Sequence, residues 1–483
     1  MSVKVTVIGA GPGGYQAAIR AAQLGAQVNV VEKAQVGGTC LHWGCIPTKT
    51  LRATADALET ARRLSEFGIS GGGEFACDLE AIRQRMANVV KPQAQGIEKL
   101  FQAYGVRLVQ GVARLSAPDL VEVELAQGGS EQLASDRIIL ATGSRPADLP
   151  GLTRDGKMIL NSDDALRLEQ IPSRMAVVGG GVIGCEFAFI LAALGSQVTV
   201  IEALDRILPL PSLDEQCSKL LAREMKKNKI QAITGMVVEK CQQAGSGLKL
   251  QLGPSPLVEH PKGREPKPRE LEVDQALVSV GRALNTQDLG LSQAGVELDE
   301  RGAIKVDRFM ATSQPGIFAV GDMLGPGRPM LAHMAATEGV AAAANCLGLN
   351  QEVSYQVVPA VAFTKPEVAW VGLSPAQAQE SGCQVQTEAF AFRMLGKSQA
   401  MGEIAGQCKL VSEAESGRLL GAHIIGPHAG DLIHECALAL KMGARVGDLA
   451  HTIHAHPTLS EAVHEAAEGV LGLCVHTPPK RQP

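Results

Sequence analysis

Charge of one sign is the first thing missing from this chain: among its 483 residues, 45 Lys and Arg stand against 50 Asp and Glu, a formal net charge of −5. Without a basic stripe it has no electrostatic footprint for the phosphates of a nucleic acid or for an anionic membrane surface. A long apolar run is missing as well. Met1-Ser2-Val3-Lys4-Val5-Thr6-Val7-Ile8 is a short strand-like stretch that runs straight into glycines. It is too short to span a bilayer and is unlike a secretory leader. There is no disulfide framework either. Eleven cysteines are an odd number, and they are scattered, so reduced thiols and a cytoplasmic setting are expected. An apolar content of 45% and a charged content of 20% are those of an ordinary globular enzyme. The length exceeds what one core supports and points to two to four domains.

What the chain has is glycine, 53 residues of it, placed where chemistry is expected. Gly37-Gly38-Thr39-Cys40-Leu41-His42-Trp43-Gly44-Cys45-Ile46-Pro47-Thr48-Lys49 sets two cysteines five positions apart. Five steps of about 1.5 Å along a regular helix exceed the roughly 7 Å that a disulfide bridges. A bond between Cys40 and Cys45 therefore needs a break in the helix, which Gly44 and Pro47 permit. A thiol near a helix start is favoured as thiolate by the unpaired N–H groups there. The pair is either redox-active or simply two buried free thiols. Zinc is disfavoured, because no second cysteine pair follows at ligand spacing.

Two glycine fingerprints frame the chain. The first is a strand, Val3–Ile8, then Gly9-Ala10-Gly11-Pro12-Gly13-Gly14, a helix from Tyr15 to Leu24, and a strand Gln27–Val31 ending at Glu32. Gly9 makes the turn, Gly11 admits a pyrophosphate to the backbone, Gly14 lets helix pack on strand, and Glu32 is placed to meet a ribose. The second repeats it: Met175–Val178, then Gly179, Gly181 and Gly184, a helix Cys185–Leu194, and a strand Gln197–Ile201 ending at Glu202. Two sites imply two dinucleotides, with FAD and a nicotinamide cofactor as the natural pair. An acid at Glu202 suits a free 2′-hydroxyl, hence NAD rather than NADP, with Arg206 close enough to leave the alternative open.

Helical stretches are expected over 50–67 and 78–104, and short strands near 106–109 and 120–125. Gly253–Glu270, rich in Pro and charge, reads as an exposed loop. From about Tyr355 the pattern becomes α+β without a nucleotide fingerprint, and the tail Thr477–Pro483 reads as disordered. Three histidines, His451, His454 and His456, fall within six residues, but their spacing does not put them on one helix face and Pro457 interrupts. A metal there is disfavoured.

The Gly-Gly-Thr-Cys…Gly-Cys-Ile-Pro-Thr-Lys segment resembles the active-site signature of the flavin disulfide reductases, and the resemblance extends over nearly the whole chain. His456-Pro457-Thr458-Leu459-Ser460-Glu461 resembles the signature of the branch that oxidises dihydrolipoyl groups with NAD⁺. The resemblance implies an α/β fold with two Rossmann-like dinucleotide-binding domains and a C-terminal α+β dimerisation domain. Residues 1–146 with 275–347 would bind FAD, 147–274 would bind NAD, and 348–483 would form the interface of a homodimer. By the same resemblance Cys40 exchanges with substrate sulfurs, Cys45 lies against the flavin, and Lys49 pairs with Glu186 beside its reactive nitrogen. Thr142, Gly143, Asp322 and the helix start Met330-Leu331-Ala332-His333 are implied on the FAD side, and Gly281 on the NAD side. His456 is the implied acid–base residue, oriented by Glu461 and supplied by the other subunit; a histidine titrates in the range dithiol deprotonation needs. The implied partner is a lipoyl-bearing protein of a 2-oxo acid dehydrogenase or glycine cleavage complex. His42, Trp43 and the Leu284-Asn285 pair depart from the commoner pattern. The alternative is another disulfide reductase of the same family acting on a different small disulfide.

Overall fold

The computed structural model describes residues 2–71, 73, 75–260 and 266–478. A seven-stranded sheet runs, in spatial order, Ile317–Ala319, Arg137–Leu140, Lys4–Ile8, Gln27–Glu32, Arg107–Ala117, Leu120–Leu125 and Ser130–Ala134. Its first five strands are parallel, and the last two add an antiparallel meander. Strands such as Val5, Val7, Ile138 and Ile139 are fully buried, the continuous apolar pattern that helices covering a parallel sheet require. The Pro12–Gln23 and Ala332–Cys346 helices pack against each other here. Their closest approach is made by two glycines, since a Cβ on Gly339 would lie 2.1 Å from the Gly13 carbonyl oxygen.

A second, all-parallel sheet of five strands repeats the plan: Gln231–Thr234, Gln197–Glu202, Arg174–Val178, Gln275–Val278 and Ile159–Leu160. Because Gln275–Val278 pairs with Met175–Val178, the expected division at 274/275 is corrected: the second unit extends at least through Val278. A separate antiparallel sheet of Met236–Ala244, Gly247–Pro254 and Arg269–Val273 brackets the stretch expected as a loop. Of that stretch, 261–265 lie outside the described residues, as do 479–483 of the expected disordered tail. Ser144–Pro146 and Arg282–Leu284 pair as a two-stranded ribbon where the chain leaves and re-enters the first unit.

The C-terminal unit is a five-stranded antiparallel sheet, Ala360–Ala362, Glu367–Gly372, Leu419–Gly426, Gln407–Glu413 and Val385–Ala391. The Ala429–Lys441 and Glu461–Leu471 helices are among those that cover it. Val385–Ala391 has no strong sequence signal and is held by pairing to Gln407–Glu413. Among the described residues no helix is long and apolar enough to cross a membrane.

Candidate active site

The two glycine turns are built alike. Gly9 sits at φ +99° and Gly179 at φ +106°, and a Cβ on either would meet a carbonyl oxygen of the neighbouring strand at 2.5 or 2.4 Å. A Cβ on Gly14 or Gly184 would lie 1.8 or 1.9 Å from the turn's own carbonyl oxygen, so the helix reaches the strand only without side chains there. Around Gly181 there is open space, and around Gly11 nothing lies nearer than 3.9 Å. No side chain caps the helices that begin after Gly11, Gly181 and Leu331. Their first N–H groups are thus available to anions. Each turn's acid does more than was expected of it. Glu32 accepts from Ala10 N–H (2.7 Å) and Ala34 N–H (2.8 Å), and Glu202 from Gly180 N–H (2.6 Å) and Leu204 N–H (2.8 Å). Each carboxylate therefore braces its glycine turn and keeps a lone pair per oxygen for a ribose.

One cavity of about 2400 Å³ runs between both turns. That is more than twice the roughly 300–1,000 Å³ that one small ligand occupies. It is lined by Gly9, Gly11, Glu32, Cys40, Cys45, Lys49, Thr142, Gly143, Gly179, Gly181, Glu186, Glu202, Gly281, Asp322 and Met330–His333. The structure thus brings together nearly all the expected cofactor residues; Gly14 and Gly184 lie behind the wall. Unpaired helix N termini, open space at Gly11 and Gly181, and paired acids fit two dinucleotides. Thr142 Oγ1 donates to Asn285 O (2.7 Å), and Asn285 Nδ2 to Thr142 O (2.9 Å), which gives the unexpected Asn285 a role as a clasp between the two crossover segments.

The helix carrying the cysteines breaks where the spacing required. Gly38–His42 ends at Trp43, and a new helix, Cys45–Arg62, begins after Gly44 at φ −139°, ψ −112°. Cys45 is therefore the first residue of its helix. Both cysteines are thiols and are hydrogen-bonded to one another. Accepting from Cys40 pulls the Cys45 thiol down to about 7; burial opposes this and the Lys49 ammonium assists. Cys40 moves the opposite way, raised first by that same bond and then by burial. The pair thus holds one proton and one negative charge near neutrality. Lys49 Nζ lies 2.9 and 2.8 Å from the two oxygens of Glu186. Glu186 also accepts from Phe363 N–H at 2.9 Å, and the Phe363 ring lies 4.4 Å from Lys49 Nζ.

Sequence reasoning missed several groups here. Ser144 Oγ donates to Asp322 Oδ2, and Arg282 donates to Ser144 Oγ (2.9 Å) and Ser144 O (2.8 Å). Arg282 is buried enough that its guanidinium is pushed below the ordinary range. The Arg167 guanidinium stacks 4.3 Å over Trp43, and His42 Nε2 meets Val36 O at 2.8 Å. Asp322, His42 and Trp43 were singled out in the sequence; of the missed groups, Ser144, Arg167 and Arg282, only Arg282 carried a signal, as the residue after Gly281.

His456 and Glu461 stand apart. Nδ1 of His456 lies 2.8 Å from Glu461 Oε1, and Glu461 Oε2 accepts from Thr458 N–H at 2.8 Å. Burial pushes the Glu461 carboxyl up, but the Thr458 N–H and His456 outweigh it and hold it below the usual carboxylate range. The orienting pair is formed, yet neither residue lines the cavity that holds Cys40, and the His456 side chain is 77% exposed. His454 is engaged elsewhere, with Nε2 2.9 Å from Glu435.

Residues 3–339 match the pyridine nucleotide-disulphide oxidoreductase family, and 358–467 match its dimerisation domain. The chain is 41% identical over 478 residues to the dihydrolipoyl dehydrogenase of Chlamydia muridarum, covering 99% of this chain and 98% of that one. It is 39% identical over 477 residues to that of Geobacillus stearothermophilus, covering 99% and 98%. LpdA of Mycobacterium tuberculosis has a similar structure (TM-score 0.87, 27% identity, 97% and 99% covered). So does the HOCl-induced flavoprotein disulfide reductase of Escherichia coli (TM-score 0.82, 25% identity, 96% and 99% covered).

Proposed function

The chain belongs to the pyridine nucleotide-disulphide oxidoreductase family, and on that premise we propose that it oxidises protein-bound dihydrolipoyl groups, with NAD⁺ as electron acceptor. The observation that carries this is the Cys40–Cys45 pair, one proton shared between two thiols, in a cavity walled by both glycine turns. Relatives named dihydrolipoyl dehydrogenase along the full length support the substrate.

In this reading a substrate thiolate attacks Cys40 Sγ of the oxidised pair, breaking the Cys40–Cys45 bond and releasing Cys45 as thiolate. The second substrate sulfur then displaces Cys40, closing the lipoyl disulfide and leaving the pair two electrons reduced. His456 takes the proton of the first substrate thiol, and the proton of the second passes to Cys40 as it is displaced, so the reduced pair keeps one proton and one negative charge. Glu461 fixes the tautomer of His456 and stabilises the imidazolium. Lys49, held by Glu186, keeps the negative charge on Cys45. FAD, when bound, supplies the acceptor for this electron pair and its passage as hydride to NAD⁺. Glu32, Asp322, Thr142, Gly143 and the helix starts at Gly11 and Leu331 hold FAD; Glu202 and the helix start at Gly181 hold NAD.

The site needs two chains. The dimerisation-domain match includes His456, and Ile453, Met442 and Leu438 are exposed by 97%, 75% and 65%, apolar side chains that a partner would cover. We therefore read residues 1–146 with 279–347 as the FAD unit, 147–278 as the NAD unit and 348–483 as the interface, acting as a homodimer in the cytoplasm on a lipoyl-bearing protein. The test is NAD⁺ reduction by free dihydrolipoamide, beside NADP⁺, and beside glutathione disulfide with NADPH. Turnover with NAD⁺ alone is expected; turnover of glutathione disulfide and not of dihydrolipoamide would overturn the substrate.

A further inference from the structure

Away from the cavity, the Glu461–Leu471 helix gathers, from its second turn onward, donors that the proposed reaction does not use. His464, Glu465 and Glu468 each bring one ligand atom within 4.8 Å of the others. Two of them lack ordinary partners. His464 Nε2 and Glu468 Oε1 are 3.7 Å apart, too long for a hydrogen bond, and His464 Nδ1 is buried with no partner among the described residues. Two ligands on one tetrahedral ion with bonds of about 2.1 Å lie about 3.4 Å apart. The His464–Glu468 separation is close to that edge. The third group is already held: Glu465, 7% exposed, accepts from Cys474 Sγ (3.1 Å) and is bonded to His476 Nδ1 (2.7 Å). Hydrogen bonds to a ligating carboxylate of this kind orient it for a metal.

We propose that His464, Glu465 and Glu468 form a binding site for a zinc-class divalent cation, with water as fourth ligand and Cys474 and His476 as positioning residues. One imidazole and two carboxylates are a donor set that such borderline ions accept. Donors that lie within 4.8 Å of one another need a closure of at most about 1.4 Å to reach that edge. Binding pins His464 and Glu468 to Glu465, which already bonds the segment carrying Cys474 and His476, and so stiffens the helix that supports His456.

The test uses the holoenzyme carrying Cys40→Ser and Cys45→Ser, so that the reactive thiols contribute nothing. Co²⁺ is titrated as the spectroscopic probe and Zn²⁺ as its competitor. The expected result is one four-coordinate Co²⁺ spectrum per chain, displaced by Zn²⁺, together with a Zn²⁺-dependent rise in Tm. Glu468→Gln, which keeps the shape, and His464→Asn are each expected to abolish the signal while FAD content is unchanged. Cys474→Ser is expected to keep the spectrum and weaken binding roughly tenfold. An absent Co²⁺ spectrum, one that survives both ligand variants, or a thiolate-to-cobalt absorption lost in Cys474→Ser would overturn the assignment.

Discussion

Replacing Cys40 with alanine removes the thiol that donates to Cys45, the largest influence holding Cys45 at about 7 rather than 9.0. At pH 7 a thiol with a pKa of about 7 is about half thiolate, and at 9.0 it is about 1% thiolate, roughly a 50-fold loss. A more basic thiolate is a better nucleophile. With a Brønsted slope of about 0.4–0.5, two units return roughly 6–10-fold. For a midpoint restored to 9.0, the net fall at pH 7 is therefore about 5–8-fold, while the alkaline plateau rises roughly 6–10-fold. Burial, which raises Cys45, and Lys49, which lowers it, both still act in the variant. The assay is alkylation of the reduced enzyme by iodoacetamide across pH, with Cys45 followed in its own peptide by mass spectrometry. The midpoint reads the proton equilibrium independently of accessibility. In the unaltered enzyme it is expected near pH 7, with reactivity lost as pH falls through that value, the direction of a thiol whose folded pKa is depressed. An unaltered midpoint near 9, or one that does not rise in Cys40→Ala, would refute the reasoning.

Lys49→Met removes the cation beside Cys45 and strands Glu186, 4% exposed. Cys45 should titrate higher, and stability should fall by about 1–3 kcal/mol, less than for a fully buried pair because Lys49 is partly exposed and Glu186 keeps the Phe363 N–H, read by denaturant unfolding of the holoenzyme. Gly14→Ala places a methyl 1.8 Å from the Gly9 carbonyl oxygen; FAD content after purification should drop to a small fraction, and full retention would mean that the turn yields. Glu202→Ala removes the brace of the second turn, so the KM for NAD⁺ should rise at least tenfold with FAD content unchanged. His456→Gln should slow dithiol oxidation roughly 100-fold or more but spare NADH oxidation by an artificial acceptor. Co-expressing Cys45→Ser chains with His456→Gln chains should restore activity to about a quarter, because half of the dimers carry one intact composite site; no recovery would place base and thiols within one chain.

Much of the site was legible because it is local. Gly9 to Glu32 and Gly179 to Glu202 are each a contiguous strand, turn, helix and strand, so sterics fix both glycine turns from spacing alone. The break between Cys40 and Cys45 follows from the reach of a disulfide and falls at Gly44. What was not legible depends on residues far apart in the chain. Glu186 is 137 positions from Lys49, a pairing that only the family resemblance implied, and Phe363, which no motif marked, completes their cage from a third unit. Arg167 covers Trp43, and Ser144 and Arg282 hold Asp322 from two crossover segments. Gln275–Val278 went to the second sheet rather than the first because pairing with Met175–Val178 is decided between strands, not along one. Spacing thus determined two dinucleotide turns and where the two cysteines lie, and the family resemblance pointed to FAD, NAD and a redox-active pair; the tertiary structure alone decided how Cys45 is charged. That charge is set by a neighbouring thiol within hydrogen-bond reach and by the field of a nearby ammonium, and electrostatic effects of this kind exist only once the distances do.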